Sequence, residues 1–388
     1  MNISYRLIMF KGAVILLLFF GLWQNTHARQ ATVTDTVSYA FLPALSYNTD
    51  IGFLAGGIMD RYQFKEGVRP FYSYMSTAAI ASTKGLISAQ LFIDRPEVFN
   101  SNFRVSSETY FSRFLQDQYY GIGNYGKLDN PPENKPDYYM FQSFSAGQTF
   151  SLRAPIWYAA TNHHLDLIGS LDAAYQTPFD NDSTHLITLQ APPGYKGGAT
   201  ISLGGGLIWD SRDSEFRPTT GNRFRVEGKL ANKFYGSSFN YFLLEAEART
   251  YTSFHLIRKI TFANRILFEH SSGDAPYWKL PYAGGEETMR GYPENRFMDD
   301  NMIVFNTELR TWLFSLPSID AEFGGTLFID IGNSFSNGTS FNHLLKDLNY
   351  TFGFGGTSSF FNENFIFRGD FGFSDEDMGV YFTAGYMF

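Results

Sequence analysis

The chain has 388 residues, a formal net charge of −8 at pH 7 and no cysteine. The absence of cysteine excludes a disulfide framework, a thiolate metal site, a cysteine nucleophile and lipid attachment at an N-terminal cysteine, and the acidity argues against general nucleic-acid binding. Aromatic residues make up 18%, with 41 Phe and 24 Tyr beside 36 Gly, a mix that suits β-structure with large apolar outer surfaces and tight turns.

The N-terminus reads as a secretory signal peptide. Arg6 and Lys11 precede the apolar run Ala13–Trp23, and Thr26-His27-Ala28 offers a small-residue cleavage site. The apolar run is short for a membrane span, the alternative reading. Cleavage after Ala28 removes two positive charges and brings the formal charge from −8 to −10. Residues 29–37 form a segment too short to fold alone, and residues 38–388 are read as one structural unit.

Hydrophobic alternation with period two then runs through the chain. Sixteen candidate strands are expected at roughly 38–47, 52–64, 70–82, 85–94, 102–116, 139–153, 164–176, 198–212, 222–234, 239–253, 258–271, 301–314, 320–334, 349–359, 364–374 and 379–388. In the segment 239–253, Phe242, Leu244, Ala246 and Ala248 alternate with Tyr241, Glu245, Glu247 and Arg249. At the C-terminus Val380, Phe382, Ala384, Tyr386 and Phe388 share one phase. A soluble sandwich buries the apolar face, and a membrane barrel turns it to lipid around a wet, charged lumen. Export, long and numerous strands, and aromatics near strand ends (Phe71-Tyr72-Ser73-Tyr74, Tyr119-Tyr120, Tyr138-Tyr139) favour an all-β, transmembrane antiparallel barrel. An even strand count permits closure without edges. Short turns, Arg95–Asn100, Asp213–Thr220, Leu316–Ser318 and Phe361–Glu363, suit the periplasmic side. Longer connections, Asp117–Asp137, Pro178–Gly197, Ser272–Asp300 and Asn337–Asp347, suit the outside, with one helical turn near His343–Leu348.

The connection between strands 11 and 12 contains Gly284-Gly285-Glu286-Glu287-Thr288-Met289-Arg290-Gly291-Tyr292. A spanning loop needs neither paired glycines nor a lone arginine beside an aromatic ring. The expected arrangement is a loop folded into the barrel, with Arg290 docked on wall carboxylates. Strand phase puts Glu308 on the charged face, and Glu322, Thr326 and Asp330 on the inward face of the following strand. Bidentate guanidinium–carboxylate pairing is the natural contact. On spacing alone the alternative is a solvated loop cation.

These residues carry a resemblance. Gly284–Tyr292 resembles the Arg-Gly-Tyr/Phe loop of BamA/TamA-type outer-membrane barrels, the eighty-five-kilodalton outer-membrane protein superfamily, also called bacterial surface antigens. Trp209-Asp210-Ser211-Arg212-Asp213 with Pro218-Thr219-Thr220-Gly221 resembles a strand-and-turn signature of that family, Phe328-Ile329-Asp330-Ile331-Gly332 its Phe-x-Asp-x-Gly strand, and the terminal Phe388 its C-terminal insertion signal. The resemblance covers nearly all of 38–388. It implies a loop lock of Arg290, Gly291 and Tyr292 on Glu308 and Asp330, the two carboxylates that strand phase also selects. It further implies work on client outer-membrane or secreted proteins, with periplasmic accessory proteins as partners beside outer-membrane lipids. Most members carry polypeptide-transport-associated (POTRA) repeats before the barrel. No such stretch fits here, so a barrel-only member is expected, and its substrate-handling role is not simply inherited.

Two further places stand out in the sequence. Asp210 and Arg212 share the inward phase and, with Asp213 at the turn, are expected to form a lumenal ion-pair network. The first and last strands should meet at a seam: Pro43 cannot donate to a ladder, Gly385 adds little packing, and Phe388 ends the strand. Pro43 facing away from the seam, or sitting at a bulge, is the alternative. No cofactor, metal site or enzymatic centre is expected. His270-Ser271 point to opposite faces, and no histidine pair has metal-ligand spacing. The leading expectation is a barrel assisting protein insertion or translocation at the outer membrane of a Gram-negative-type envelope. A passive pore or surface barrel with a plug loop is the second, and a lumenal hydrolase a distant third.

Overall fold

The computed structural model describes residues 36–65, 71–98, 101–124, 130–160, 163–179, 182–360 and 366–388. The expected signal peptide, most of the 29–37 segment and the expected turn at Phe361–Glu363 lie outside these residues.

The strands are β1 (Thr36–Asn48), β2 (Gly52–Phe64), β3 (Ser73–Ser82), β4 (Leu86–Val98), β5 (Phe103–Gln118), β6 (Met140–Ala160), β7 (His163–Phe179), β8 (Gly198–Asp210), β9 (Gly221–Ala231), β10 (Tyr241–His255), β11 (Lys259–Gly273), β12 (Tyr282–Ala283), β13 (Phe297–Met298), β14 (Asn301–Leu316), β15 (Ala321–Phe335), β16 (Asn349–Phe360), β17 (Ile366–Phe373) and β18 (Met378–Ala384). Sixteen of them close one antiparallel barrel, and β12 with β13 forms a separate two-stranded ribbon inside the loop between β11 and β14. Closure matters because a bilayer offers backbone N–H and C=O groups no partner, so each strand must be satisfied by its neighbours.

Exposure is inverted relative to a soluble protein. Along β9, Val226 is 49% exposed and Glu227 3%. Phe224 and Leu230 share the outer face with Val226, while Arg225 and Lys229 share the inner one with Glu227. The same alternation places Leu327 and Ile329 outside, and Thr326 and Asp330 inside, on β15. The period-two pattern therefore builds an apolar outer band around a charged lumen. Connection length does not alternate throughout, since β1–β2 and β3–β4, at the same end as the longest loops, are short turns. The residues between β5 and β6, β7 and β8, and β11 and β14 form long loops at one end, and the strand starting at Thr36 begins at the other.

Several boundaries differ from the sequence reading. β4 continues to Val98, absorbing much of the expected Arg95–Asn100 turn, and β6 runs on to Ala160. The largest correction is at the C-terminus. β18 ends at Ala384, so Gly385 and Phe388 do not belong to the seam strand. Gly385 has φ +79°, a left-handed conformation natural to glycine, and its N–H still donates to Ile366 O at 2.8 Å. The following residues then leave the sheet. Phe388 packs inside the lumen with Tyr251 and Ala263, and its carbonyl accepts from Arg310 Nη2 at 2.9 Å.

The seam is thin. β1 pairs with β2 from Thr36↔Phe64 to Asn48↔Gly52, with Pro43 opposite Gly57. Among the described residues its register with β18 is the single pair Asn48↔Tyr381. Across it, Thr49 N–H donates to Val380 O at 3.2 Å and Ser46 Oγ donates to Phe382 O at 2.6 Å.

Candidate functional site: the inner loop and its wall

The loop between β11 and β14 is buried over most of its length because apolar residues at both ends pack inside the barrel. Near the long-loop end, Tyr277, Trp278 and Tyr282 join Tyr119, Phe141 and Tyr241 in one cluster. Deeper, Met289, Tyr292 and Phe297 pack on Leu267, Met302 and Val304. The β12–β13 ribbon pairs Tyr282 with Met298 and Ala283 with Phe297, which brings the loop back on itself. Thr288 Oγ1 fastens the tip by accepting from Gly284 N–H at 2.8 Å and donating to Gly284 O at 2.7 Å. Gly291 has φ +108°, and a Cβ there would stand 3.0 Å from backbone atoms of Gly372 and Phe373. The glycine thus permits both the turn and the close approach to β17.

This path delivers Arg290, fully buried, to the wall. Its Nε and Nη2 fork onto Asp330 at 3.0 and 2.9 Å, and its backbone N–H reaches the same carboxylate at 3.1 Å. Nη1 donates to Glu308 Oε1 at 2.6 Å and to Asp370 Oδ2 at 2.9 Å. The guanidinium carbon lies 3.4 Å from the centre of the Phe328 ring, a stacking geometry open to Arg and poorly reproduced by Lys. Two wall arginines complete the cluster. Arg310 Nε contacts Glu308 Oε2 at 2.7 Å, and Arg368 Nε lies 3.0 Å from Asp370 Oδ2. Three guanidinium groups therefore face three carboxylates, and the buried charge is balanced. Asn306 Nδ2 steadies Asp330 at 2.8 Å and also reaches Thr288 O at 2.7 Å.

The loop has further anchors. Arg296 grips Glu376 through Nε and Nη2, both at 2.6 Å, and the Tyr292 hydroxyl donates to Asp375. Asp375 and Glu376 lie in the β17–β18 turn. Strand alternation alone singled out neither residue, nor Asp370. The inward phase of Asp370 was readable, but its meeting with Arg290 depends on the path of the loop.

Asp210 and Arg212 form a bidentate pair, with Nε and Nη2 on the carboxylate at 3.0 and 2.6 Å. Asp213 does not join that network, which corrects the three-residue reading. Its carboxylate accepts from Thr219 N–H at 2.8 Å, from Thr220 N–H at 3.2 Å and from the Thr219 hydroxyl, and so braces the turn. Glu322, on the inward phase of β15, pairs with Arg217. A larger lumenal network lies on β7 and β9–β11. Lys229 reaches Asp172 at 2.7 Å, Arg223 reaches Glu247 at 2.6 Å, and Arg225 contacts both Glu227 and Glu245.

The arrangement binds and braces. Among the described residues no group of three His, Cys, Asp or Glu side chains is placed to hold a metal. His270 Nδ1 meets Asn301 Oδ1 at 2.7 Å, a contact between a strand and its neighbour.

The Omp85 superfamily domain matches residues 74–385. No curated protein matches the chain. Among solved structures, BamA from Haemophilus ducreyi lacking POTRA domains 1–3 is 12% identical with a TM-score of 0.59, covering 91% of this chain and 70% of that one. CdiB from Acinetobacter baumannii is 14% identical with a TM-score of 0.56, covering 91% and 60% respectively. CdiB from Escherichia coli is 13% identical with a TM-score of 0.60, covering 92% and 63%. The chain spans less than two thirds of the length of either CdiB structure. At these identities the likeness is one of fold. The domain match covers most of the chain, and with the closed sixteen-stranded barrel and its inner arginine loop it makes this protein a member of the Omp85 superfamily.

Proposed function

We infer that the protein assists insertion or translocation of other proteins at the outer membrane of a Gram-negative-type envelope, and does so without covalent chemistry. The observation that carries this is the seam. Below the Asn48↔Tyr381 pair, β1 has no registered partner on its β18 side among the described residues. Backbone groups left unpaired at membrane depth are costly, and a free strand edge is a template for an incoming strand. Client polypeptides in extended form are the partners this edge fits, with outer-membrane lipids around it and periplasmic accessory proteins beside it. Likeness to BamA and CdiB is consistent with such work. In this reading the contact of Arg290 with Glu308, Asp330 and Asp370 is a structural lock that sets the position of the loop. Pro43 limits pairing along β1, and the Asp210–Arg212 pair stiffens the wall beside the Asp213 turn.

A second reading, a passive pore or surface barrel, draws on the loop filling the lumen as a plug. Depletion of the protein in its own cells, followed by an inventory of outer-membrane proteins, separates the two. Loss of a defined set of outer-membrane or secreted proteins is expected. An unchanged inventory with altered solute permeability supports the pore instead.

A further inference from the structure

The registered seam pair Asn48↔Tyr381 is also where the inner loop reaches the seam. On the β1 side, Asn48 Nδ2 donates to Glu286 Oε2 at 2.8 Å, and Asn48 Oδ1 accepts from Asp50 N–H at 2.7 Å. Asp50 Oδ1 accepts in turn from Glu294 N–H at 3.0 Å. On the β18 side, the Tyr381 hydroxyl accepts from Gly291 N–H at 3.2 Å and donates to Tyr292 O at 3.5 Å. Asn48, Asp50 and Tyr381 are all buried. A segment of nine residues, 286–294, thus holds both seam strands at once, and Arg290 in its middle is fixed to β14, β15 and β17.

We propose that this loop segment is the latch of the seam, with Asn48, Glu286 and Tyr381 as the positioning residues through which loop docking keeps β1 and β18 together. The proposal rests on the reading that seam opening carries the function, and it says what controls that opening. One registered pair among the described residues gives strand pairing little hold, whereas bonds from one loop reach both strands. Release of the loop removes the bonds to both strands together.

The latch contains two carboxyl groups whose surroundings oppose ionisation. Asp50 is desolvated and faces Glu294 and Glu286, with Lys84 the opposing cation, and its pKa is pushed up from 3.8 to about 7. Glu286 is desolvated and faces Glu294 and Asp370, partly offset by Arg368 and the Asn48 amide, and rises from 4.5 to about 7. The Tyr381 and Tyr120 hydroxyls also face Asp50. Both docked values lie above the free ones, so the docked loop binds more protons than the released loop. The contribution of these two groups to docking is full below about pH 4, falls as pH rises towards 7, and levels off above it.

The test uses the full chain in phospholipid vesicles with nitroxide labels at Tyr47→Cys and Phe382→Cys, outward-facing positions next to the registered pair. The unsubstituted latch should give one short distance. Glu286→Ala combined with Tyr381→Phe should add a long component at least several-fold above background. Glu286→Gln, whose amide oxygen still accepts from Asn48, should restore the short distance. An unchanged distribution in the combined variant, with the barrel folded by its heat-modifiable mobility, overturns the latch. A pH series on the labelled chain needs no substitution within the latch. The long component should grow from pH 5 to pH 7.5, and a distribution flat across that range overturns the proposal. Client insertion is read separately on the same vesicles. If the seam opens without any change in insertion, the functional reading fails and the latch stands. Fixed distances with normal insertion sink the latch alone.

Discussion

Arg290 and Asp370 are 80 positions apart in the chain and 2.9 Å apart in space. The contact extends the reach of the loop beyond β14 and β15 to β17, the neighbour of the seam strand β18. One guanidinium therefore ties the loop to three strands of the wall. Its fork geometry makes this possible, since five N–H groups in one plane can serve three carboxylates at once.

Removing that guanidinium takes the cation from buried Asp330 and leaves Glu308 and Asp370 with Arg310 and Arg368 alone. Arg290→Ala should destabilise the barrel by about 3–5 kcal/mol, the cost of breaking a buried ion pair. Arg290→Lys should recover only part of this, because an ammonium cannot fork or stack in the same way. Urea midpoints in vesicles and protease cleavage within residues 284–292 measure both effects. Wild-type stability and loop protection in Arg290→Ala contradict the lock.

Gly291→Ala probes the path of the loop without touching charge. The added Cβ meets β17 backbone at 3.0 Å in a left-handed conformation, and the expected cost is about 1–3 kcal/mol. Gly356→Ala is the matched control in a strand, since its Cβ meets nothing within 4 Å. Equal urea midpoints for the two variants would show that the loop does not press on β17.

Loop docking should also respond to pH. Asp50 and Glu286 both titrate near 7 when docked, against 3.8 and 4.5 when free. Their contribution is fully present below about pH 4 and is lost as pH rises to about 7. Each group then changes the docking equilibrium by up to about tenfold per pH unit within that window. Hydrogen exchange of the 284–294 amides, corrected for the intrinsic pH dependence of exchange, should show greater protection at pH 5 than at pH 8. Glu286→Gln should flatten part of the response.

The C-terminal tail depends on Arg310, whose guanidinium carbon lies 4.0 Å from the Tyr386 ring centre and 4.9 Å from that of Phe388. Arg310→Ala should free the tail and make Phe388 a substrate for carboxypeptidase in the folded barrel. Resistance equal to wild type would mean that packing on Tyr251 and Ala263 suffices.

The parts of this structure readable from the chain are those governed by local alternation. Period two in 239–253 or 301–314 needs no partner to be seen, and it fixes which side chains face the lumen. Hence Glu308 and Asp330 were nameable before any fold was known. What escaped depends on where a long connection travels. Asp370, Asp375 and Glu376 are ordinary acids until the loop passes them. The tail misled for a different reason. Tyr386 and Phe388 continue the apolar phase of Val380 and Phe382, but Gly385 turns the chain inward, and Arg310 offers two aromatic rings a cation. Alternation predicts which face a residue takes within a strand, not where that strand stops.

Work at the β1–β18 seam is tested most directly by a reversible bond across it. Tyr47→Cys with Phe382→Cys, oxidised in vesicles, should stop insertion of an unfolded outer-membrane barrel supplied from outside while leaving any ion conductance unchanged. Reduction should restore insertion. If the oxidised protein inserts its client at the reduced rate, the seam is not the route and the account is wrong.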